Sequence, residues 1–386
     1  MTPRTVLRLG ALAAAGMVTA AQADDTLKIG FAVSLTDYLA PYDSPTVDGA
    51  KIAIDDLNAD GGAAGQYQIE AMIRDVRSDT VQTSVVVQEF IDAGAQVIVV
   101  PCDDDPAIAG GLLAQQAEIP VFSTCATNAG LPGAIGDFYF VNYVADTIQG
   151  ATLAEYAREQ GYENAYLLVS PDTTYTGNLP EYFGEVFEEL GGTVVGRGTY
   201  TFGQQDFSAE VTRITALDPQ PDVIMTSAYE PDFPAFLRRL RGAGIDAAVL
   251  GSDGIDSPTT IALGDVSEGV VFTNAGAPVA GTRLADFFAQ YEAVMGEPLT
   301  NSFAATGYDM MLVIDHAVRE AGSLEGPALR DAIAAIDGLE VVTGTVTYKD
   351  RGRVPARAVA LNRVGDGTVT HVDTRIIDPG LVPASR

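Results

Sequence analysis

LKIGFAV at residues 27–33 is a continuous apolar run, and VDGAKIAIDDLN at residues 47–58 follows it with helical spacing. In the second stretch Val47, Ala50 and Ile54 fall on one face of a helix. The glycines just after residue 60 are typical of a helix end. A buried strand that leads into an amphipathic helix is the repeating unit of α/β proteins, so this stretch predicts a parallel sheet covered by helices.

The same alternation continues along the chain and then restarts near residue 147. The first series predicts further strands at 67–73, 96–100 and 119–122, with helices at 80–93 and 106–117. The second predicts helices at 147–160, 182–190, 207–217 and 232–242, with strands at 165–169, 193–196, 222–226, 247–250 and 269–273. We therefore expect two doubly wound, Rossmann-like α/β lobes of similar size.

The last part of the chain is too small for a third lobe. It predicts helices at 284–295, 303–321 and 328–336, then β-rich segments at 341–348 and 359–363. We expect it to complete the first two lobes, with the chain crossing near 141–145, 274 and 354. This gives a first lobe of 24–143 plus 275–354 and a second of 144–274 plus 355–386. Several crossing segments make a hinge, and two hinged lobes enclose a cleft.

The N-terminus predicts export. Arg4 and Arg8 precede a short apolar run at 11–20, and Ala21 and Ala23 supply the small residues of a cleavage site. This pattern is typical of a signal peptide, here residues 1–23, cleaved after Ala23. An uncleaved anchor is disfavoured because the run is shorter than the ~20 residues that span a bilayer. We expect a soluble periplasmic protein.

Composition excludes several partners. The chain has 52 acidic and 22 basic residues and a net charge of −30, which repels nucleic acid and anionic lipid. Two cysteines in an exported chain indicate a disulfide. With only two histidines beside them, a Cys/His metal site is hard to assemble, and we expect no metal.

The sequence carries no catalytic motif of the P-loop, nucleophile-elbow, zinc-protease or dinucleotide-binding kind. His316 lies in an apolar helical stretch and His371 in a terminal β segment, both ordinary structural places. Gly365-Asp366-Gly367 predicts a hairpin turn. We expect no catalytic residue and no cofactor.

The loops that follow the predicted strands are rich in hydrogen-bonding side chains. Ligands of open α/β sheets bind beyond the carboxyl ends of the strands. Tyr, Thr, Ser and Asp there suit a small polar molecule, although each could instead cap the next helix. The loops are 34–42, 102–106, 123–128, 172–177, 229–230 and 251–254.

Several stretches resemble one family. They are KIGF at 28–31, DGAKIAIDDLN at 48–58 with GG at 61–62, TCATN at 124–128, DFS at 206–208, Tyr229 followed by FLRR at 236–239, and GSDG at 251–254. In this order they resemble the periplasmic binding proteins for leucine, isoleucine and valine that serve ABC transporters, with the type I periplasmic binding fold. The resemblance implies capture of a solute in the cleft, closure of a hinge and delivery to membrane permease subunits. We expect a monomer.

The resemblance also implies site residues. In that family a Ser/Thr hydroxyl and backbone N–H groups of the first lobe hold the ligand's α-carboxylate. An acid and a tyrosine of the second lobe hold its ammonium. Thr127 and the backbone near Cys125 correspond to the first group, Asp253 and Tyr229 to the second, and Tyr42 and Tyr175 to aromatic wall positions. We also include Ser123 and Ala126, from the same loop as Thr127, in the predicted site.

One departure bears on the ligand. Asp103 and Asp104 stand where the family usually has serines, and we include both in the predicted site. A carboxylate facing a ligand carboxylate is strongly unfavourable in a desolvated cleft. Either these side chains turn away to cap the next helix, or the ligand is a neutral polar, polyhydroxy or cationic solute.

The cysteines depart from the family as well. Ser78 stands at one family half-cystine, while Cys102 and Cys125 end two strands that we expect to be neighbours. Adjacent strands lie ~4.8 Å apart, within reach of a disulfide. The sequence therefore predicts a Cys102–Cys125 bond, against the alternative of two free buried thiols.

Two function classes remain. A transport receptor agrees with the whole pattern, whereas a ligand sensor on the same fold would need a signalling partner. An exported enzyme is disfavoured because no nucleophile and base are paired in the sequence.

Overall fold

The computed structural model describes residues 26–386, and the predicted signal peptide lies outside this range. A five-stranded parallel sheet forms the first lobe, in the order β2-β1-β3-β4-β5. Its strands are β1 (Thr26–Val33), β2 (Gln68–Asp75), β3 (Val97–Val100), β4 (Val121–Ser123) and β5 (Tyr139–Phe140). The helices between them are α1 (Ala40–Ala59), α2 (Thr80–Asp92), α3 (Asp104–Gln116) and α4 (Leu131–Ile135).

The second lobe contains a seven-stranded sheet in the order β14-β13-β10-β9-β8-β6-β7. Its first five strands in the chain are parallel, and β13 and β14 add an antiparallel hairpin beside β10. The strands are β6 (Asn164–Val169), β7 (Thr193–Thr199), β8 (Val223–Thr226), β9 (Ala248–Gly251), β10 (Val271–Asn274), β13 (Val359–Gly365) and β14 (Thr368–Arg375). The helices are α5 (Asp146–Glu159), α6 (Thr174–Glu189), α7 (Ser208–Thr215), α8 (Asp232–Gly242) and α9 (Pro258–Ile261).

Three later helices return to the first lobe. They are α10 (Arg283–Met295), α11 (Phe303–Ala321) and α12 (Gly326–Ala334), followed by the short pair β11 (Leu339–Val341) and β12 (Gly344–Val346). Met310, Ile314 and Val318 of α11 share one core with Val47 and Ile54 of α1. The chain thus passes between the two sheets after β5, after β10 and between β12 and β13.

The two-lobed α/β prediction is confirmed, but two helices begin earlier than expected. Helix α1 starts at Ala40 and not at residue 47, and α6 starts at Thr174 and not at residue 182. Each contains an internal proline, Pro45 or Pro180. Proline removes one helical hydrogen bond and disfavours an interior position. Packing of the buried residues on both sides of each proline offsets that loss.

Smaller differences lie elsewhere. The sequence does not predict the short β5. The predicted β-rich segment 341–348 overlaps the end of β11 and the whole of β12. The turn at 365–367 joins β13 to β14 as expected, with positive φ at Asp366 and Gly367. Within residues 26–386 no helix combines the length and the apolar character that crossing a membrane requires.

Candidate functional site

A cavity of about 40 Å³ lies where the two lobes meet. Its walls come from loops at the carboxyl ends of β1, β3, β4, β6, β8 and β9, the edge at which such sheets bind ligands. The first lobe contributes Leu39, Tyr42, Cys102, Asp103, Asp104, Cys125, Ala126 and Thr127. The second contributes Tyr175, Tyr229, Asp253 and Gly254.

One buried carboxylate organises the first-lobe wall. Asp43 in the first turn of α1 accepts hydrogen bonds from the Ser34 N–H (2.7 Å), the Cys102 N–H (2.9 Å) and the Thr124 hydroxyl (2.5 Å). These donors end β1, β3 and β4, so a single side chain sets the three loops against one another. Burial raises the pKa of Asp43 to about 7 despite these bonds.

The disulfide prediction is confirmed. Cys102 and Cys125 are bonded, with Cα atoms 4.6 Å apart, and join the loops after β3 and β4. Both half-cystines line the cavity. Closing a loop of this length stabilises the fold by about 3 kcal/mol on chain-entropy arguments.

Asp103 caps helix α3, and both Asp103 and Asp104 line the cavity. The Asp103 carboxylate accepts from the Asp104 N–H (2.8 Å) at the start of α3, and Asp104 accepts from the Asn128 amide (2.8 Å). Capping of the helix and a place in the cavity wall are therefore not exclusive for Asp103. Burial, and then the charge of Asp104, raises the pKa of Asp103 to about 7.

On the second lobe a network holds Asp253. Its Oδ1 accepts from the Gln149 amide (2.8 Å) and the Tyr175 hydroxyl (3.1 Å). The Tyr175 hydroxyl in turn accepts from the Gly254 N–H (2.9 Å). Burial raises the pKa of Asp253 to about 7.

Tyrosines close the cavity between the lobes. The Tyr42 hydroxyl donates to the Gly254 carbonyl (3.0 Å), which ties α1 to the loop after β9. The Tyr42 and Tyr229 rings meet edge to face at 6.0 Å, and Tyr175 meets Tyr229 at 5.9 Å. Tyr42 and Tyr175 occupy these places because α1 and α6 begin before their prolines.

The structure brings together all the predicted ligand-site residues except Ser123. Ser123 is buried behind the wall, where its hydroxyl donates to the Pro101 carbonyl (2.9 Å) and accepts from the Ala126 N–H (2.7 Å). Leu39 and Gly254 line the cavity without having been predicted. Both residues lie in the predicted loops 34–42 and 251–254, so the rule that ligands bind beyond the carboxyl ends of the strands already indicated their position.

Asp146 was missed altogether. It begins α5, is 1% exposed and has an N–H that donates to the Thr127 carbonyl (2.9 Å). In the sequence it is an ordinary acid at a helix N-terminus, and nothing there places it beside the cavity. Burial raises its pKa well above the usual range, and the charges of Asp104 and Asp253 act in the same direction.

The cavity is lined by carboxylates, tyrosine rings and small side chains. Its lining, as drawn from residues 26–386, contains no histidine, lysine or arginine. In the same range no three His, Cys, Asp or Glu side chains converge as metal ligands would.

Comparisons with known proteins agree. A family profile described as "Periplasmic binding protein" matches residues 26–368. The Leu/Ile/Val-binding protein BraC3 of Rhizobium johnstonii is 26% identical over 378 residues, which are 96% of this chain and 100% of the relative.

Two solved structures are similar in fold. The substrate-binding protein LivJ of Streptococcus pneumoniae, in complex with isoleucine, has a TM-score of 0.81 and 24% identity over 92% of this chain and 100% of its own. A solute-binding protein of R. palustris, in complex with 4-hydroxybenzoate, has a TM-score of 0.80 and 22% identity over 93% of this chain and 100% of its own. The chain belongs to the periplasmic binding protein family, a family of binding proteins and not of enzymes.

Proposed function

We propose that this protein is the exported receptor of an ABC uptake system, with its signal peptide cleaved after Ala23. It captures a small polar solute in the cavity between its lobes and, as a monomer, delivers it to the permease subunits in the membrane. Proteins of similar fold bind isoleucine or 4-hydroxybenzoate, which supports a solute of this size.

One observation carries the proposal. The cavity is built by both lobes, from Asp103 and Thr127 on one side to Tyr229 and Asp253 on the other. A ligand there contacts both lobes at once, so its binding energy favours the closed arrangement over an open one. A permease can then distinguish the loaded receptor by its shape.

The test is a binding titration in which intrinsic tyrosine fluorescence reports the binding. The chain has 15 tyrosines and no tryptophan, so tryptophan emission does not mask a change at the three cavity tyrosines. Purified protein is titrated with isoleucine, 4-hydroxybenzoate, aliphatic amines and polyols, and thermal unfolding is followed in parallel. A true ligand raises the melting temperature by mass action.

A matched pair of variants locates the site. Ala126 lines the cavity and is 4% exposed, so Ala126→Leu fills the space and should abolish binding. Ala335 is exposed just after α12, and Ala335→Leu should bind as the parent does. Circular dichroism confirms that both variants fold. Undiminished binding by Ala126→Leu, or no binding of any compound by the parent, would overturn the proposal.

A further inference from the structure

The cavity concentrates negative charge. Asp103 and Asp104 stand on one wall and Asp253 on the other, and the lining drawn from residues 26–386 holds no positive side chain. In the same range no ion pair engages any of the three. Uncompensated carboxylates in a desolvated space are costly unless they are paired. An inference about the ligand of this cavity rests on the proposed function, because a receptor role is what gives the cavity a ligand.

The hydrogen-bond donors around the three carboxylates carry no positive charge. Asp103 is bonded by the Asp104 N–H and by Tyr38, Asp104 by Asn128 and Thr174, and Asp253 by Gln149 and Tyr175. These donors leave the negative charge uncompensated, and a carboxylate oxygen can accept a further hydrogen bond from a ligand. Both walls of the cavity offer carboxylate acceptors, and neither offers a positively charged side chain. A complementary ligand is therefore rich in N–H donors or carries positive charge.

A fourth acid, Asp146, adds negative charge close to the cavity without lining it. Asp146 is 1% exposed, and its Oδ1 has no hydrogen-bond partner among residues 26–386. It lies beside Thr127, and the charges of Asp104 and Asp253 act on it.

The aromatic lining narrows the class of cation. Tyr42, Tyr175 and Tyr229 surround the space with rings, which attract ammonium groups through cation–π contacts. A metal ion is disfavoured because, within 26–386, the acids do not converge as metal ligands. A carboxylate on the ligand is disfavoured because it would lie against Asp103.

We propose that the ligand is a small organic ammonium compound without a carboxylate. Its positive group lies between Asp103 and Asp104 of the first lobe and Asp253 of the second, and its apolar part lies against the tyrosine rings. The small volume of the cavity favours a compact amine over a long polyamine.

Matched probes separate charge from shape. Leucine is compared with 3-methylbutylamine, which keeps the side chain and the ammonium, and with 4-methylpentanoate, which keeps the side chain and the carboxylate. Benzylamine and 4-hydroxybenzoate form an aromatic pair, and choline and 1,4-diaminobutane extend the cationic set. Calorimetry should show at least one amine binding about tenfold or more tighter than every carboxylate-bearing probe.

The outcomes distinguish the ammonium ligand from the proposed receptor role. Tighter binding of leucine, 4-methylpentanoate or 4-hydroxybenzoate would overturn the ammonium ligand and leave the receptor role standing. Binding of none of the probes would overturn both. Binding of an amine that Ala126→Leu leaves undiminished would place it at another site and also overturn the inference.

Two substitutions test the named acid. Asp103→Ser removes the carboxylate from the cavity. It should lower the affinity for the amine at least about tenfold and raise the affinity for leucine. Asp92→Ser changes an exposed acid at the end of α2, which does not line the cavity, and should leave both affinities within about twofold. Equal effects of the two substitutions would contradict direct recognition by Asp103.

Proton release gives a further readout. With pKa values of about 7, Asp103 and Asp253 hold protons near pH 6, and a bound cation displaces them. Affinity for the amine should therefore rise from pH 5.5 to pH 8, and a pH-independent affinity would contradict the assignment. The titratable groups facing Asp103 are Tyr38, Asp104, Asp105 and Tyr229, and those facing Asp253 are Tyr42, Tyr143, Asp146, Tyr175 and Asp256.

Discussion

At the scale of single residues, buried acids with specific partners shape this molecule more than its many surface acids do. Asp43 receives three donors from three strand ends and is fully buried. Removal of a buried acceptor leaves its donors unpaired, which costs about 1–3 kcal/mol for each group. The stability of the cavity wall therefore depends on this one carboxylate.

We expect Asp43→Ala to lower the free energy of unfolding by about 3 kcal/mol or more, because three buried donors lose their acceptor. Asp43→Asn keeps one oxygen and should lose about half as much. Urea unfolding of the ligand-free protein measures both. Asp55 lies exposed on the same helix, so Asp55→Ala should change stability by less than about 0.5 kcal/mol. A loss for Asp43→Ala no larger than for Asp55→Ala would show that the strand ends do not depend on it.

At the scale of elements, the crossing of α1 and α11 positions the cavity's first-lobe wall. A Cβ at Gly49 would lie 1.8 Å from the Ala304 carbonyl oxygen, and one at Gly307 would lie 1.9 Å from that of Thr46. Each helix thus presents a glycine to the backbone of the other. Helix α1 carries Tyr42 and Asp43 in its first turn, so its contact with α11 also places the site.

Gly307→Ala should lower the free energy of unfolding by about 2–3 kcal/mol, since the helices must separate to admit a methyl group. Gly242, at the exposed end of α8, has open space around its Cβ position. Gly242→Ala should therefore leave stability unchanged or raise it by up to about 1 kcal/mol. Thermal unfolding compares the two, and equal effects would mean that the crossing is not tightly packed.

The sequence predicted what depends on local pattern or on loop position. Thr127 and Asp253 were found because they follow strands, and Cys102 was paired with Cys125 because their strands are neighbours. Asp43 and Asp146 were not found. The partners of Asp43 are 9 to 81 residues away, and Asp146 meets Thr127 only when the two lobes have packed. Tertiary contact, not local propensity, gives these residues their roles.

At the scale of the whole molecule, the buried acids give stability an unusual dependence on pH. The folded-state pKa values of Asp43 and Asp253 are about 7, above the ordinary value of 3.8. The folded protein therefore binds more protons than the unfolded chain between these values. The stability from this difference is complete below about pH 4 and is lost as the pH rises through about 7.

We expect the ligand-free protein to be less stable at pH 8 than at pH 5.5, by at least about 2 kcal/mol. Urea unfolding in about 0.5 M salt measures this while screening the surface acids. Asp253→Asn removes one of the groups and should reduce the difference between the two pH values. Stability that rises from pH 5.5 to pH 8 would contradict the raised pKa values.

Every proposed role of this protein depends on solute binding in the cavity that both lobes build. A crystal structure of the protein with the tightest-binding compound of the probe set shows directly where solute binds. We expect ligand density between Asp103 and Thr127 of the first lobe and Tyr229 and Asp253 of the second, with the ammonium group against the carboxylates. Density elsewhere, such as in the larger cavity lined by Asn274, Ser302 and His371, would contradict this assignment.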